Sequence, residues 1–329
     1  MPYLSWVAVS LFPLVIFQAF KQLSDGLSLT RYPMYATFLA NVINVVLNYM
    51  FIFGKFGAPA LGVVGAAVGT LASRVVMIIY LWFLLYSKQK SKAFVTHIKL
   101  FALSKKMLSK VFNLGVPSAL QMFFEVAIFT AAIWLSGMLG KNPQAANQIA
   151  LNLSSMTFMV AMGFGVTAMI RVGNQKGLKR FDELRRIAFS IFLLAIILAV
   201  IFAILFFTFH QSLPNLYLNF DNPTEAFDNL EVAASAATLL LIAAVFQISD
   251  TLQVVTLGAL RGMQDVKLPT LITFIAYWVV GFPVMYYLGL HTTYGSSGIW
   301  IGLLAGLTVS GVLLFWRFHM LSNELIEAS

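Results

Sequence analysis

Nine separate runs of about 20 mostly apolar residues interrupt this chain, and they decide what it can fold into. They cover 3–20, 32–53, 60–86, 111–139, 145–170, 187–208, 232–259, 268–290 and 298–316. Each is long enough to cross a hydrocarbon layer of about 30 Å as a helix. Backbone in lipid must satisfy its own hydrogen bonds, which leaves helices or closed barrels. These runs are too long and too evenly apolar for barrel strands. The expectation is an all-α, polytopic membrane protein with nine transmembrane helices. The first run follows no basic segment and precedes no small-residue cleavage site, so it reads as a membrane helix and not as a signal peptide.

Composition closes other classes. The chain is 60% hydrophobic and 10% charged, against roughly a quarter charged in soluble domains. That excludes a soluble enzyme and, despite the net charge of +9, a nucleic-acid partner. There is no cysteine, hence no disulfide framework, thiolate metal site or catalytic thiol. The four His show no paired metal-ligand spacing. Neither a Gly-x4-Gly-Lys-Ser/Thr nucleotide loop nor a Ser-His-Asp or His-Glu-x-x-His arrangement is present. The reading is no enzyme and no cofactor, with any work drawn from an ion gradient.

Basic residues orient the spans. The loops after the first, third, fifth and seventh spans, with the C-terminal tail, hold 18 of the 21 Lys and Arg. The opposite loops hold Lys55 and Lys141, while Arg74 lies within the third span. The loop 209–231 has no Lys or Arg but carries Asp221, Glu225, Asp228 and Glu231. The positive-inside rule then puts the C-terminus in the cytoplasm and Met1 outside. The basic stretch 87–110 reads as a cytoplasmic linker with a short surface helix near His97–Lys110. Pro33 and Pro269 open helices, where a missing N–H costs nothing. Pro13, Pro117 and Pro283 lie inside apolar runs and mark kinks or irregular turns.

Shifted by 236 residues, the chain overlays itself without gaps. Gly26 falls on Gly262, Arg31 on Lys267, Pro33 on Pro269, Thr37-Phe38 on Thr273-Phe274, Gly62 on Gly298 and Leu71 on Leu307. The first three spans thus map, in the same direction, onto the last three, a parallel repeat of the kind found in two-lobed transporters. The repeat unit is six helices. The expected organisation is a partial N-terminal lobe of three helices at 1–86, a basic linker at 87–110, a complete six-helix lobe at 111–317 and a tail at 318–329. By the same logic, the counterparts of the fourth to sixth spans would occupy roughly 125 residues ahead of Met1.

Several stretches resemble multidrug and toxic compound extrusion (MATE) transporters. They are Asn44-Val45-Val46-Leu47-Asn48-Tyr49 with Phe53-Gly54, then Gly57-Ala58-Pro59-Ala60-Leu61-Gly62-Val63-Val64-Gly65-Ala66-Ala67. Gly115-Val116-Pro117 leading to Glu125, Ala145-Ala146-Asn147-Gln148-Ile149-Ala150 and Arg171-Val172-Gly173-Asn174 continue the likeness. Asp250 followed by Gly258-Ala259-Leu260-Arg261-Gly262-x-x-Asp265 completes it. The resemblance implies two six-helix lobes around a central cleft. It also implies export of organic cations or amphipathic compounds in exchange for Na+ or H+ by alternating access, in a bacterial inner membrane. A lipid-linked saccharide flippase of related architecture and a non-transporting truncated remnant are the alternatives.

Two acids lie deep in the spans, Glu125 and Asp250. A carboxylate at the centre of a membrane helix costs about 2.5 kcal/mol or more, so it should face the bundle interior or a wet cavity. There it can take and release a proton, hold Na+ or face a cationic compound. Both match cation-linked acids of the family. Gln121 lies at i−4 of Glu125, and Gln247 and Gln253 at i−3 and i+3 of Asp250, where their amides can ligate or orient the carboxylates. The expected cation and substrate site is therefore Glu125, Asp250, Gln121, Gln247 and Gln253, with the two acids able to take Na+. Phe123, Phe124 and Phe246 lie near enough in sequence to wall it. Arg261 and Arg171 read as anchors at helix ends, and Asn41, Asn44 and Asn48 as interhelical glue on the second span. The expected partners are a small cationic or amphipathic molecule and the bilayer.

Overall fold

A computed structural model describes residues 2–87, 104–219 and 226–328. Among them, nine helices are long and apolar enough to cross a membrane. They are α1 (Pro2–Gly26), α2 (Arg31–Phe53), α3 (Val63–Ser87), α4 (Lys105–Leu139), α5 (Lys141–Gly177) and α6 (Phe181–Phe209). Then follow α7 (Ala226–Gly262), α8 (Lys267–Leu290) and α9 (Ser296–Glu327). No strand occurs among the described residues. The chain is an all-α, multi-pass membrane protein.

Several helices outrun their apolar cores. Lys105, Lys106 and Lys110, expected in a linker, form the first turns of α4. The rest of the expected surface helix lies outside the described residues. Asp228 and Glu231, expected in a loop, are helical in α7, while Asp221 and Glu225 also lie outside the described residues. The expected tail continues α9 as far as Glu327. The physical reason is common to all three. Hydropathy marks where lipid ends, but a helix stops only where its hydrogen bonds are capped or broken.

Pro33 and Pro269 sit in the first turns of α2 and α8, as their chemistry requires. Pro13 and Pro117 lie within uninterrupted α1 and α4. Pro283 does mark an irregular turn. Ahead of it, Ile275–Gly281 winds as π-helix between the α-helical stretches Lys267–Phe274 and Phe282–Leu290. A proline has no N–H to donate and its ring crowds the carbonyl four residues back; a wider turn relieves both.

The chain divides into two compact units, Met1–Leu103 and Ser104–Ser329. In the first, α3 packs on both α1 and α2 over Phe17, Ala36, Ala40, Met77, Leu81 and Leu85. Asn44 donates to Thr70 (3.5 Å) and Ser73 (3.3 Å), and Asn48 donates to Asn44 (3.1 Å), so these asparagines do join helices. Asn41 is exposed. Arg74 of α3 donates to Ser10 Oγ of α1 at 2.6 Å.

In the second unit, α7 is the central element, packed on α5, α6 and α9. Its closest seam runs along α5, where a Cβ on Gly258 would lie 2.7 Å from the Gly165 carbonyl carbon and 2.9 Å from its Cα. Small residues let membrane helices approach backbone to backbone, where dispersion contacts are densest. Likewise Gly302 of α9 lies directly against the Met285 backbone of α8. These two seams set the distances at which polar side chains from α4, α5, α7 and α8 meet.

Candidate functional site

Asp250 lies midway along α7 and is only 3% exposed. Glu125, on α4, is half-buried. The two carboxyl groups interact electrostatically inside the second unit, so the fold brings together the acids that the sequence singles out. Asp250 Oδ1 is buried and has no hydrogen-bond partner in the protein. Such an acceptor can take a proton, an ion or water.

Arg261 stands in the last turn of α7, the helix-end position the sequence predicts, but it is more than an anchor there. Its guanidinium turns inward, donates to Gln121 Oε1 at 3.2 Å and interacts with the Glu125 charge. Its Nε is buried without a partner. A signal for this was available. Eleven residues separate Asp250 from Arg261, and eleven residues make about three helical turns, which puts both on one face of α7. They stand roughly 16 Å apart along the axis by helical rise, with Glu125 on the neighbouring helix in the field of both. The two candidate acids thus share the interior of the second unit with one internal cation.

The three amides divide. Gln121 is 1% exposed; its oxygen accepts from Arg261 and its Nε2 is unpartnered. Gln253 accepts a 2.5 Å hydrogen bond from the hydroxyl of Tyr277, a buried α8 residue within electrostatic reach of both acids. Sequence gives no hint of Tyr277, since its place depends on how α8 packs against α7. Gln247 goes elsewhere. It lines a small cavity with Thr157, Phe164, Ala195, Phe202 and Thr251, away from the Tyr277 contact. Gln247 and Gln253 therefore flank Asp250 but face different helices.

The aromatic wall is also divided. Phe123 is exposed, Phe124 packs in a tilted contact on Phe274 at 4.9 Å, and Phe246 is buried against Trp300 at 5.3 Å and Phe129 at 6.1 Å. Phe246 is core rather than cavity lining. Beside it, Trp300 Nε1 donates to Asn147 Oδ1 at 2.9 Å, tying α9 to α5 inside the Ala145–Ala150 motif.

The Arg261 end of α7 is clasped from two sides. Arg317 of α9 pairs with Asp265 at 2.8 Å, and Lys176 of α5 donates to the Met263 carbonyl. Thr270 of α8 reaches the Pro117 carbonyl of α4 at 2.9 Å. These contacts fix the turn that carries Arg261. Among the described residues, no group of three or more His, Cys, Asp or Glu is clustered to hold a metal. Any ion at Glu125 or Asp250 would draw its remaining ligands from neutral oxygens or water.

The MatE family profile matches residues 117–287, the span that holds both acids. The chain is 35% identical over 314 residues to the multidrug resistance protein NorM of Aliivibrio fischeri, covering 94% of this chain and 66% of that protein. It is 36% identical over 318 residues to NorM of Vibrio vulnificus (94% and 67%), and 38% identical over 317 residues to the multidrug resistance protein MdtK of Yersinia enterocolitica (94% and 67%). The chain thus spans about two thirds of the length of the curated relatives it matches. Among solved structures, a MATE protein in the bent conformation superposes with a TM-score of 0.86 at 20% identity, covering 99% of this chain and 69% of that one. The eukaryotic MATE transporter AtDTX14 gives 0.82 at 21% identity, covering 99% and 71%. At these identities the structures speak for the fold, and the sequence relatives for the family. The chain belongs to the MATE family of membrane proteins.

Proposed function

We propose that the chain works as a secondary multidrug exporter, moving cationic or amphipathic small molecules across a bacterial inner membrane in exchange for Na+ or H+. The observation that carries this reading is the meeting of Glu125 and Asp250 inside one six-helix unit, from separate helices, with Asp250 Oδ1 unpartnered. Two acids in an apolar body are costly unless a positive charge visits them. The names of the relatives support drug-like cargo, and the acid-rich balance of the site favours cationic cargo over the anionic cargo of a lipid-linked saccharide flippase.

In this reading, occupancy by the coupling ion favours one access state and cargo the other. Exchange follows only if each binds the two states with different affinity. Arg261 gives the acid pair a resident positive charge that cargo and ion must displace or share. Cells producing the chain should keep a fluorescent cationic dye out while an ion gradient is maintained. Glu125→Gln and Asp250→Asn should each abolish that efflux with the protein still present in the membrane. Absence of efflux from the unmodified chain, or unchanged efflux in both variants, overturns the proposal.

A further inference from the structure

One polar cluster of the second unit lies outside the transport site altogether, where α6 begins and α9 ends. Arg185, in the second turn of α6, reaches across to the last turns of α9. One nitrogen of its guanidinium donates to Asn323 Oδ1, and another meets His319 Nδ1 at 3.3 Å. The guanidinium carbon lies 5.6 Å from the centre of the Phe189 ring, four residues further along α6. His319 and Asn323 are also four residues apart, so they share one face of α9. Phe189 in turn packs edge-on against Phe315 and Phe318 of α9, at 5.9 and 6.2 Å between ring centres. The arginine fork therefore caps the end of an aromatic seam that joins the two helices.

The chemistry of the contact fixes the state of the imidazole. A guanidinium has only donors and keeps its charge throughout the physiological range. A ring nitrogen that meets it must accept, so Nδ1 carries no proton and His319 is neutral. A proton added at Nδ1 removes the acceptor and sets two cations side by side. Both side chains are half-buried, so water and salt screen that repulsion less than they would at an open surface. Histidine is the side chain that gains such a proton between about pH 5 and 8.

We propose that Arg185, His319 and Asn323 form a pH-sensitive clasp, which holds α6 to α9 while His319 is neutral and opens when His319 is protonated. The clasp is whole on the alkaline side of the histidine range and is lost as pH falls through it. Among the described residues, Arg185 is the charged side chain in contact with His319. The other charges at this end come from every element around it. They are Asp182, Glu183 and Arg186 on α6, Arg317 and Glu324 on α9, Asp265 and Lys267 after α7, and Lys105, Lys106 and Lys110 on α4. Of these, Arg317 and Asp265 are engaged with each other at 2.8 Å. On the proposed orientation this basic end meets the cytoplasm, so an acidifying cytoplasm is what the clasp senses. Arg317 stands two residues before His319, and its pair with Asp265 holds the turn that follows Arg261. Release of the end of α9 thus loosens a support of the transport site without touching either acid.

The test is a distance measurement on the purified full chain in detergent. The chain has no cysteine, so Ser190→Cys on α6 and Met320→Cys on α9, both exposed, give two unique spin-label sites beside the aromatic seam. At about pH 8 the labels should report one short distance. A longer distance should grow in reversibly as pH is lowered to about 5.5, across the histidine range. His319→Asn keeps an acceptor that cannot be protonated, and should hold the short distance at every pH. Arg185→Gln removes the opposing cation, and should also lose the pH response. A distance that does not respond to pH in the labelled chain overturns the clasp, and so does a response that survives in His319→Asn or in Arg185→Gln. The reading needs neither cargo nor an ion gradient, so its failure leaves the exporter proposal standing, and the reverse holds.

Discussion

Replacing Gly258 by Ala tests the packing that holds the site together. Gly258 faces Gly165 across the α5–α7 seam, and an added Cβ would meet the Gly165 carbonyl carbon at 2.7 Å and its Cα at 2.9 Å. Both are backbone atoms, so neither can rotate away, and the helices must part. Overpacking of a close contact costs about 1–3 kcal/mol, and with backbone on both sides the upper end applies. Alanine recovers roughly 0.8–1.0 kcal/mol through its better helix propensity. The net loss is about 2 kcal/mol, of the order of a 30-fold drop in the folded-to-unfolded ratio. Gly163, on the same helix as Gly165, is the internal control, because a Cβ there meets nothing within 4 Å. Gly163→Ala should be neutral or slightly stabilising, and Gly165→Ala, whose Cβ would meet the Val254 carbonyl oxygen at 3.0 Å, should fall between. The assay is thermal unfolding of the purified chain in detergent, followed by loss of the monodisperse peak. Gly258→Ala unfolding at or above the temperature of the unmodified chain would refute the seam argument.

Two further outcomes follow from the site. Arg261→Gln removes the cation beside Glu125, and equilibrium binding of a cationic dye should tighten by about tenfold, equivalent to about 1.4 kcal/mol; unchanged or weaker binding would show that Arg261 does not compete with cargo. Trp300→Phe strips Asn147 of its one donor and leaves its amide wholly unpaired in the core, lowering stability by about 1–3 kcal/mol; adding Asn147→Leu should recover most of the loss in the same unfolding assay, and failure to recover would assign the effect to lost ring packing.

Much of this molecule is written in one dimension. Lipid demands long apolar runs, so the helices and their number are legible without any structure. Glu125 and Asp250 are legible too, because a charge in such a run has no cheap structural excuse. What escapes is whatever depends on the rotation and end of a helix. Arg261 is legible as a helix-end residue, and it does stand in the last turn of α7, but its inward hydrogen bond to Gln121 depends on how α4 lies beside that turn. Gln247 and Gln253 flank Asp250 about 120° apart on the helix, and only the packing around α7 decides that one meets a cavity and the other Tyr277. Phe246 looks like pocket lining because it lies one turn before Asp250 on the same face, but Trp300 of α9 packs over it there.

The π-helical stretch Ile275–Gly281 stores one residue of slack within a span, at the point where Tyr277 grips Gln253. Wider winding is the less stable form of the same backbone. Tightening it to ordinary α-helix would swing Lys267–Phe274 by about 100° relative to the stretch beyond Pro283. Thr270 would then leave the Pro117 carbonyl and Phe274 its ring contact with Phe124, both tethers to the helix that carries Glu125. A twist hidden in the eighth helix is thus geared, through two named contacts, to the fourth.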